Sequence, residues 1–193
     1  MPVAGKKHAK DWRDIAGVLG NLLAQLAGLR LTQVLRCDLE GACADAGAGR
    51  FVGANGITIS SDRSLLFVND PPLAQITVLS HDAASGQLGL TESTQFSTKF
   101  CGDNVEWVDG QILVGTVPQP YKFVQNDLLG TSHPVAGGMG IAQQDVGSGK
   151  WVMNERVLTH DGSKLSQISA AARFASTVYM GSPFSKGLLV CET

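Results

Sequence analysis

The residues best suited to chemistry form two short groups of oxygen-bearing side chains, each directly before a β-rich run. Asn55 precedes the run Ile57–Ser60, and Asp103 and Asn104 precede the run Val105–Val108. Strand ends fix position while the adjoining loop leaves a side chain free, so residues at such places often contact ligands. Amide and carboxylate oxygens are the ligands that calcium prefers. These three residues are therefore candidate calcium ligands.

The same residues also have an ordinary structural interpretation. Asn-Gly is a common turn, and Asp-Asn before a strand is a common cap. Gly56 permits a backbone angle that a Cβ would forbid, so Asn55 can turn its amide away from its own sheet. From these residues alone, the turn and the ligand interpretation both stay open.

The elements that must position these residues are short strands. The chain has 193 residues, 44% of them apolar and 17% charged, with a formal net charge of −2. That composition fits one globular domain and does not favour a nucleic-acid partner. The 23 glycines fall mostly between short apolar runs, which favours many strands joined by turns. We expect an all-β fold.

The first thirty residues differ from the rest. Residues 1–11 are expected to be a disordered basic tail, and residues 12–29 an amphipathic helix, because their apolar positions recur at steps of three and four. The helix is too short to span a bilayer, which needs about 20 apolar residues. We expect it to dock on the protein; contact with a lipid or lipoprotein surface is the alternative.

From residue 31 onward, strand-like runs alternate with turn signals. A unit of loop, strand, tight turn and second strand begins at Asn55 and recurs at Asp103-Asn104, a spacing of about 48 residues that matches one propeller blade. Residues 31–193 would therefore hold about three blades. Gly130–Lys150 has few apolar residues at any period, and we expect a long loop there.

Cysteines and histidines add little. The four cysteines lack zinc-ligand spacing, and a disulfide could hold Cys191 near the C-terminus, with a partner that the sequence does not identify. We interpret the histidines as solvated residues of the tail, turns and loop rather than as catalysts. They are His8, His81, His133 and His160.

Several short motifs, in one order, resemble the serum paraoxonase/arylesterase family. The motifs are Ala54-Asn55-Gly56-Ile57, Phe67-Val68, Gly102-Asp103-Asn104-Val105, Val114-Gly115 followed by Pro118, and the ending Cys191-Glu192. The similarity is close over Ala54–Phe123 and poor across Gly130–Lys150. It covers the C-terminal half of the family's length.

The resemblance implies a fold and an activity. Family members are six-bladed β-propellers with two calcium ions in the central tunnel, and they hydrolyse aryl esters and lactones. Asn55, Asp103 and Asn104 are similar to family ligands of the catalytic calcium, so the expected cofactor is Ca²⁺. The family's histidine pair has no counterpart here, and no catalytic residue is assigned. The family's terminal disulfide would use Cys191, for which Cys37 or Cys43 could be recruited.

Two functions from different classes follow. The first is a calcium-dependent hydrolase of aryl esters and lactones, expected to be a truncated form with a small ester or lactone substrate. The second is a non-catalytic propeller fragment that acts as a calcium-binding or interaction module. About three blades leave apolar faces open, so self-association of two arcs to complete the propeller is a further expectation. The sequence shows no clear signal peptide and does not assign a compartment.

Overall fold

A computed structural model describes residues 12–95, 101–119, 121–122, 125–126 and 133–192. Within these residues it contains one long α-helix, helical residues at 121–122 and 125–126, a short 3₁₀ turn (Pro71–Leu73) and thirteen strands. The prediction of an all-β fold is confirmed for the described residues, apart from these helical segments. No closed ring of sheets is present among them, and the number of blades stays a prediction. The expected basic tail, residues 1–11, lies outside the described residues.

The strands form three antiparallel meanders and one hairpin. The hairpin joins β1 (Thr32–Cys37) and β2 (Cys43–Phe51), and the three meanders follow it along the chain. Sheet 1 contains β3 (Ile57–Ile59), β4 (Leu65–Asp70), β5 (Gln75–His81) and β6 (Leu88–Gln95). Sheet 2 contains β7 (Cys101–Val108), β8 (Gln111–Val117), β9 (Gly137–Gln144) and β10 (Trp151–His160). Sheet 3 contains β11 (Ala170–Phe174), β12 (Thr177–Gly181) and β13 (Leu189–Glu192).

Apolar side chains hold neighbouring sheets together. Between sheets 1 and 2, Phe67 stacks on Trp107 at 5.4 Å between ring centroids and meets Trp151 edge-on at 4.9 Å. Between sheets 2 and 3, buried Leu113 and Met139 belong to one cluster with residues of β11 and β12. The hairpin β1–β2 covers the other face of sheet 1. The sheets are thus packed in chain order.

Helix α1 spans Trp12–Leu26. The predicted helix continued to residue 29, but Gly28 adopts a left-handed φ of 69° and closes the helix. The Gly28 N–H donates to the Gln25 carbonyl and the Leu29 N–H to the Ala24 carbonyl, which is the Schellman pattern of helix ends. The continuation past Leu26 was therefore wrong, because a glycine at this position favours termination.

The expected docking of this helix stays a prediction: Leu22, Ala24 and Gln25 are half-buried. Leu19, Leu23 and Leu26 on the apolar face are exposed. Contact with a lipid surface stays a prediction. No helix in the described part of the chain is long and apolar enough to cross a membrane.

The expected long loop over residues 130–150 was wrong for its central part. β9 occupies Gly137–Gln144 and lies inside sheet 2, between β8 and β10. Its glycines leave room for neighbouring backbone: a Cβ on Gly138 would lie 2.3 Å from the Leu158 carbonyl oxygen, and one on Gly137 would lie 2.8 Å from Ile168. Glycines that allow close packing of the backbone occupy positions where a strand usually has apolar side chains. The sequence therefore shows no strand pattern there.

Strand β2 was missed for a related reason. It reads Cys-Ala-Asp-Ala-Gly-Ala-Gly-Arg-Phe, a composition with low strand propensity. Pairing with β1 and the burial of Ala46 and Phe51 against sheet 1 hold it in place. Tertiary contacts, rather than local preference, make this segment a strand.

Candidate functional site

Asn55, Asp103 and Ser169 have equivalent chain positions relative to a strand pair that repeats in the three sheets. In sheets 1, 2 and 3 the first strand pairs with the second through Ile57–Val68, Val105–Val114 and Ala171–Met180. In every sheet the equivalent residue lies two positions before the first member of that pair. The Asn55 N–H donates to the Asn69 carbonyl, and the Ser169 N–H donates to the Gly181 carbonyl, so the backbone pattern repeats in sheets 1 and 3. In sheet 2 the register shifts between Gly102 and Val105, where Asp103 and Asn104 lie.

The structure brings together two of the predicted ligands. Asn55 Nδ2 donates a hydrogen bond to Asp103 Oδ1 at 2.5 Å, across the junction of sheets 1 and 2. Asn55 is exposed, and Asp103 is half-buried. Burial raises the pKa of the Asp103 carboxyl, and the hydrogen bond from Asn55 acts in the opposite direction. With its amide nitrogen committed to this bond, Asn55 keeps Oδ1 as a possible donor to a cation.

Asn104, the third predicted ligand, is oriented by sheet 3. Its backbone N–H and its Nδ2 both donate to the Ser169 carbonyl, at 2.9 and 3.1 Å. The side-chain oxygen of Asn104 is thereby left as an acceptor. Asp103 and Asn104 thus link β7, the first strand of sheet 2, to sheet 1 on one side and to sheet 3 on the other. Sequence reasoning missed Ser169; the register repeat is the signal that identifies it.

Gly56 has a different role from the one expected. Its φ lies outside the left-handed range, so the backbone freedom that glycine permits is not used here. Instead, a Cβ at this position would lie 2.6 Å from the Asp103 carbonyl oxygen and 2.8 Å from the Asn104 Cα. Glycine is required here because the two strands approach so closely.

Two polar side chains fix the segment that precedes Asn55. Asp70 is buried, and its carboxylate accepts hydrogen bonds from the Val52 N–H at 3.0 Å and the Gly53 N–H at 2.9 Å. The Ala54 N–H donates to Thr32 Oγ1 at 2.9 Å. Three consecutive backbone donors are satisfied in this way, so the approach to Asn55 has a defined course.

The described histidines make local contacts. His81 Nδ1 lies 2.7 Å from the Arg63 carbonyl oxygen, beside a turn of sheet 1. His160 Nδ1 accepts a hydrogen bond from the Gly162 N–H at 2.9 Å. His133 is exposed, and His8 lies outside the described residues. These contacts are those of turn residues.

The cysteines differ from the expectation drawn from the resemblance. Cys37 and Cys43 form a disulfide that closes the hairpin β1–β2. Neither is recruited by Cys191, which is a free thiol, as is Cys101. Burial, followed by the charge of Asp103, raises the pKa of the Cys101 thiol to about 11.

The donor chemistry of the three predicted ligands fits a hard cation in part. Two amides and one carboxylate supply oxygen, as calcium requires, but they supply three of the about six to eight oxygens in its usual shell. Among the described residues, no group of three or more His, Cys, Asp or Glu side chains could hold a metal ion. The remaining ligands would have to be water, backbone oxygens or groups outside the described residues.

A comparison with known protein families identifies the lineage. The family model for Arylesterase matches residues 45–193, which include all three predicted ligands and most of the chain. The chain belongs to the arylesterase family. The resemblance inferred from the short motifs is thereby confirmed, and an arylesterase is by name a carboxylic ester hydrolase.

Other comparisons give less. No curated protein matches this arylesterase-family chain. Among solved structures, the chain is similar to a crystal structure of a functionally unknown protein from Desulfotomaculum acetoxidans DSM 771, with a TM-score of 0.48 and 13% sequence identity. That similarity covers 82% of this chain and 46% of the other, so the chain spans less than half the length of that protein.

Proposed function

We propose that the protein is a calcium-dependent hydrolase of aryl esters and lactones. The observation that carries this proposal is the hydrogen bond between Asn55 and Asp103 at the junction of sheets 1 and 2. These residues are 48 positions apart, and both lie within the segment that matches the arylesterase family. Because the two side chains are in contact, the interpretation as a shared ligand site is better supported than the interpretation as two unrelated turns.

Each residue has a defined part in the proposed site. Asp103 would supply the single negative charge, while Asn55 and Asn104 would supply neutral amide oxygens. When bound, calcium would act as a Lewis acid toward the ester carbonyl. Because only one of the three residues is charged, the site would keep net positive charge, which favours an oxyanion. The hydrogen bonds from Asn55 to Asp103 and from Asn104 to Ser169 would preorganise these oxygens.

We further propose that sheets 1 to 3 are blades of a partial six-bladed β-propeller. Two features support it: the sheets are successive meanders, and their first strands β3, β7 and β11 are linked side by side through Asn55, Asp103, Asn104 and Ser169. Strands around a propeller axis have that arrangement. The site would then lie on the axis, where further blades or a second copy would add ligands.

The test is hydrolysis of phenyl acetate and of a small lactone, with calcium and with excess chelator. We expect turnover that the chelator abolishes and that added calcium restores. Asn55→Ala and Asp103→Ala should each lower kcat/KM on the order of 100-fold or more. Asp161→Ala is the matched control, because Asp161 is an exposed turn residue, and it should retain activity.

A folded sample without turnover would refute the hydrolase. If it still bound calcium, with the binding lost in Asp103→Ala, the non-catalytic calcium-binding module would be the better description. Turnover that the chelator leaves unchanged would refute the role of calcium.

A further inference from the structure

Asn69, at the end of β4, connects the two predicted ligand loops. Its backbone brackets the first loop: the Asn69 carbonyl accepts from the Asn55 N–H at 2.9 Å, and the Asn69 N–H donates to the Gly56 carbonyl at 2.8 Å. Its side chain reaches the second loop, where Nδ2 donates to the Asp103 carbonyl at 2.7 Å. Asn69 is 3% exposed. One buried residue therefore makes hydrogen bonds to both sides of the Asn55–Asp103 contact.

The other sheets show that this side chain is specific to one junction. The positions equivalent to Asn69, directly after Val114 and Met180 of the repeated pairs, are Gly115 and Gly181. At Gly115 a Cβ would lie 2.4 Å from the Ser169 carbonyl oxygen, so the backbone of sheet 3 approaches sheet 2 directly. At the junction of sheets 1 and 2, the position is occupied by the amide side chain of Asn69. The equivalent position of sheet 2, Gly115, has no side chain.

The neighbouring strand leaves room for the Asn69 amide. A Cβ on Gly102 would lie 3.3 Å from both Nδ2 and Oδ1 of Asn69, and 3.0 Å from Val114 Cγ1. Both distances are tighter than most van der Waals contacts, so a side chain at position 102 would crowd the amide. Gly102 and Asn69 are thus complementary, and together they bring Asp103 against Asn55.

We infer that Asn69 is a positioning residue, which sets the spacing of Asn55 and Asp103 for the cation that they are proposed to hold. The inference rests on the proposed function for the cation itself, but the positioning of the two side chains is a property of the protein without it. A purely structural role would satisfy the Asp103 carbonyl and stabilise the fold without affecting the site. Two measurements separate these roles.

The first measurement is the binding of calcium alone, by isothermal titration calorimetry. Asn69→Leu removes the amide donor at similar size, and Asn69→Ser keeps a shorter donor. The matched control is Asn126→Leu: Asn126 is also buried, and its Nδ2 donates to a backbone carbonyl, that of His133, at 2.9 Å. We expect calcium affinity to fall about 10- to 100-fold in Asn69→Leu, less in Asn69→Ser, and less than about twofold in the control.

The second measurement needs no calcium. Urea midpoints are compared for Asn55→Ala, Asn69→Leu and the double variant. If Asn69 positions the Asn55–Asp103 contact, the shift caused by Asn55→Ala should fall by about half or more in the Asn69→Leu background, since coupled residues are not additive. Asn69→Ser takes the place of Asn69→Leu if the leucine variant does not fold.

The outcomes are distinct. Wild-type calcium affinity in folded Asn69→Leu, or additive urea shifts, would overturn the inference and leave the proposed function intact. A wild-type protein that binds no calcium would overturn the calcium site, and the urea cycle alone would then decide whether Asn69 positions the pair.

Discussion

At the scale of single residues, the candidate site depends on two side chains, Asn55 and Asp103. The sequence shows that their types suit a ligand site, but it does not show that they are in contact. Asn55 and Asp103 each follow a rule for turns as well as a rule for ligands, so the residues alone leave both interpretations open. The hydrogen bond between them exists because β3 and β7 are neighbours in separate sheets. Such a contact depends on how sheets stack, which local sequence does not encode.

The glycine beside Asn55 offers the sharpest test at this scale. In Gly56→Ala the new methyl group would meet the Asp103 carbonyl and the Asn104 Cα, at 2.6 and 2.8 Å without relaxation. Relaxation would push β3 away from β7. We expect the free energy of unfolding to fall by about 1–3 kcal/mol in urea titrations. We also expect calcium binding to weaken, because the two ligand loops separate.

Gly20→Ala is the control for this substitution. Gly20 lies in helix α1, and a Cβ there would have no heavy atom within 4 Å. Alanine is the better helix former by about 1 kcal/mol, so this variant should be as stable as the wild type or more so. Unchanged stability and calcium binding in Gly56→Ala would show that the close approach of β3 and β7 is not required.

At the scale of elements, the sequence predicts the strands that carry apolar side chains. β4, β5 and β8 are short apolar runs with β-branched residues, the kind of strand-like run that the sequence shows from residue 31 onward. The recurring unit of loop, strand, turn and strand is present at β3–β4 and β7–β8, and again at β11–β12. By contrast, β2 and β9 use alanine and glycine where other backbone lies close, so no pattern marks them. The equivalence of Ser169 with Asn55 and Asp103 likewise follows from register.

The turn between β11 and β12 has an alanine, Ala175, at a position whose backbone conformation is unfavourable for alanine. Phe174 pairs with Thr177, which leaves Ala175 and Ser176 as a two-residue loop, and Ala175 has a left-handed φ of 53°. That conformation costs an ordinary L-residue about 1–2 kcal/mol, and asparagine tolerates it better. Ala175→Asn should therefore raise the free energy of unfolding by about 0.5–1 kcal/mol, measured by urea titration. Ala172→Asn, in the middle of β11, should give no gain; equal gains would attribute the effect to asparagine rather than to the turn.

At the scale of the whole molecule, the sheets are covered unequally. Sheet 1 has the hairpin β1–β2 on its outer face, and sheet 2 lies between sheets 1 and 3. In sheet 3 one face is buried, through Ala171, Val178 and Met180. The opposite face presents a cross-strand row of Ala172, Tyr179 and Val190, with Phe174 beside it. Phe174 is 78% exposed and Val190 52%.

An apolar face of this kind commonly marks an interface, and the expected occupant is a second copy of the chain. Sedimentation velocity over a range of concentrations should show reversible self-association of the wild type. Val190→Asp should weaken it by on the order of tenfold or more, because association would bury an unpaired carboxylate. Val152→Asp is the matched control: Val152 is 45% exposed on β10 of sheet 2, and its substitution should leave association unchanged. A monomer at every concentration, or equal effects of the two substitutions, would refute pairing through sheet 3.

If the copies do pair to complete a propeller, calcium affinity should rise with protein concentration in the wild type and not in Val190→Asp, since each copy supplies three of the about six to eight ligands.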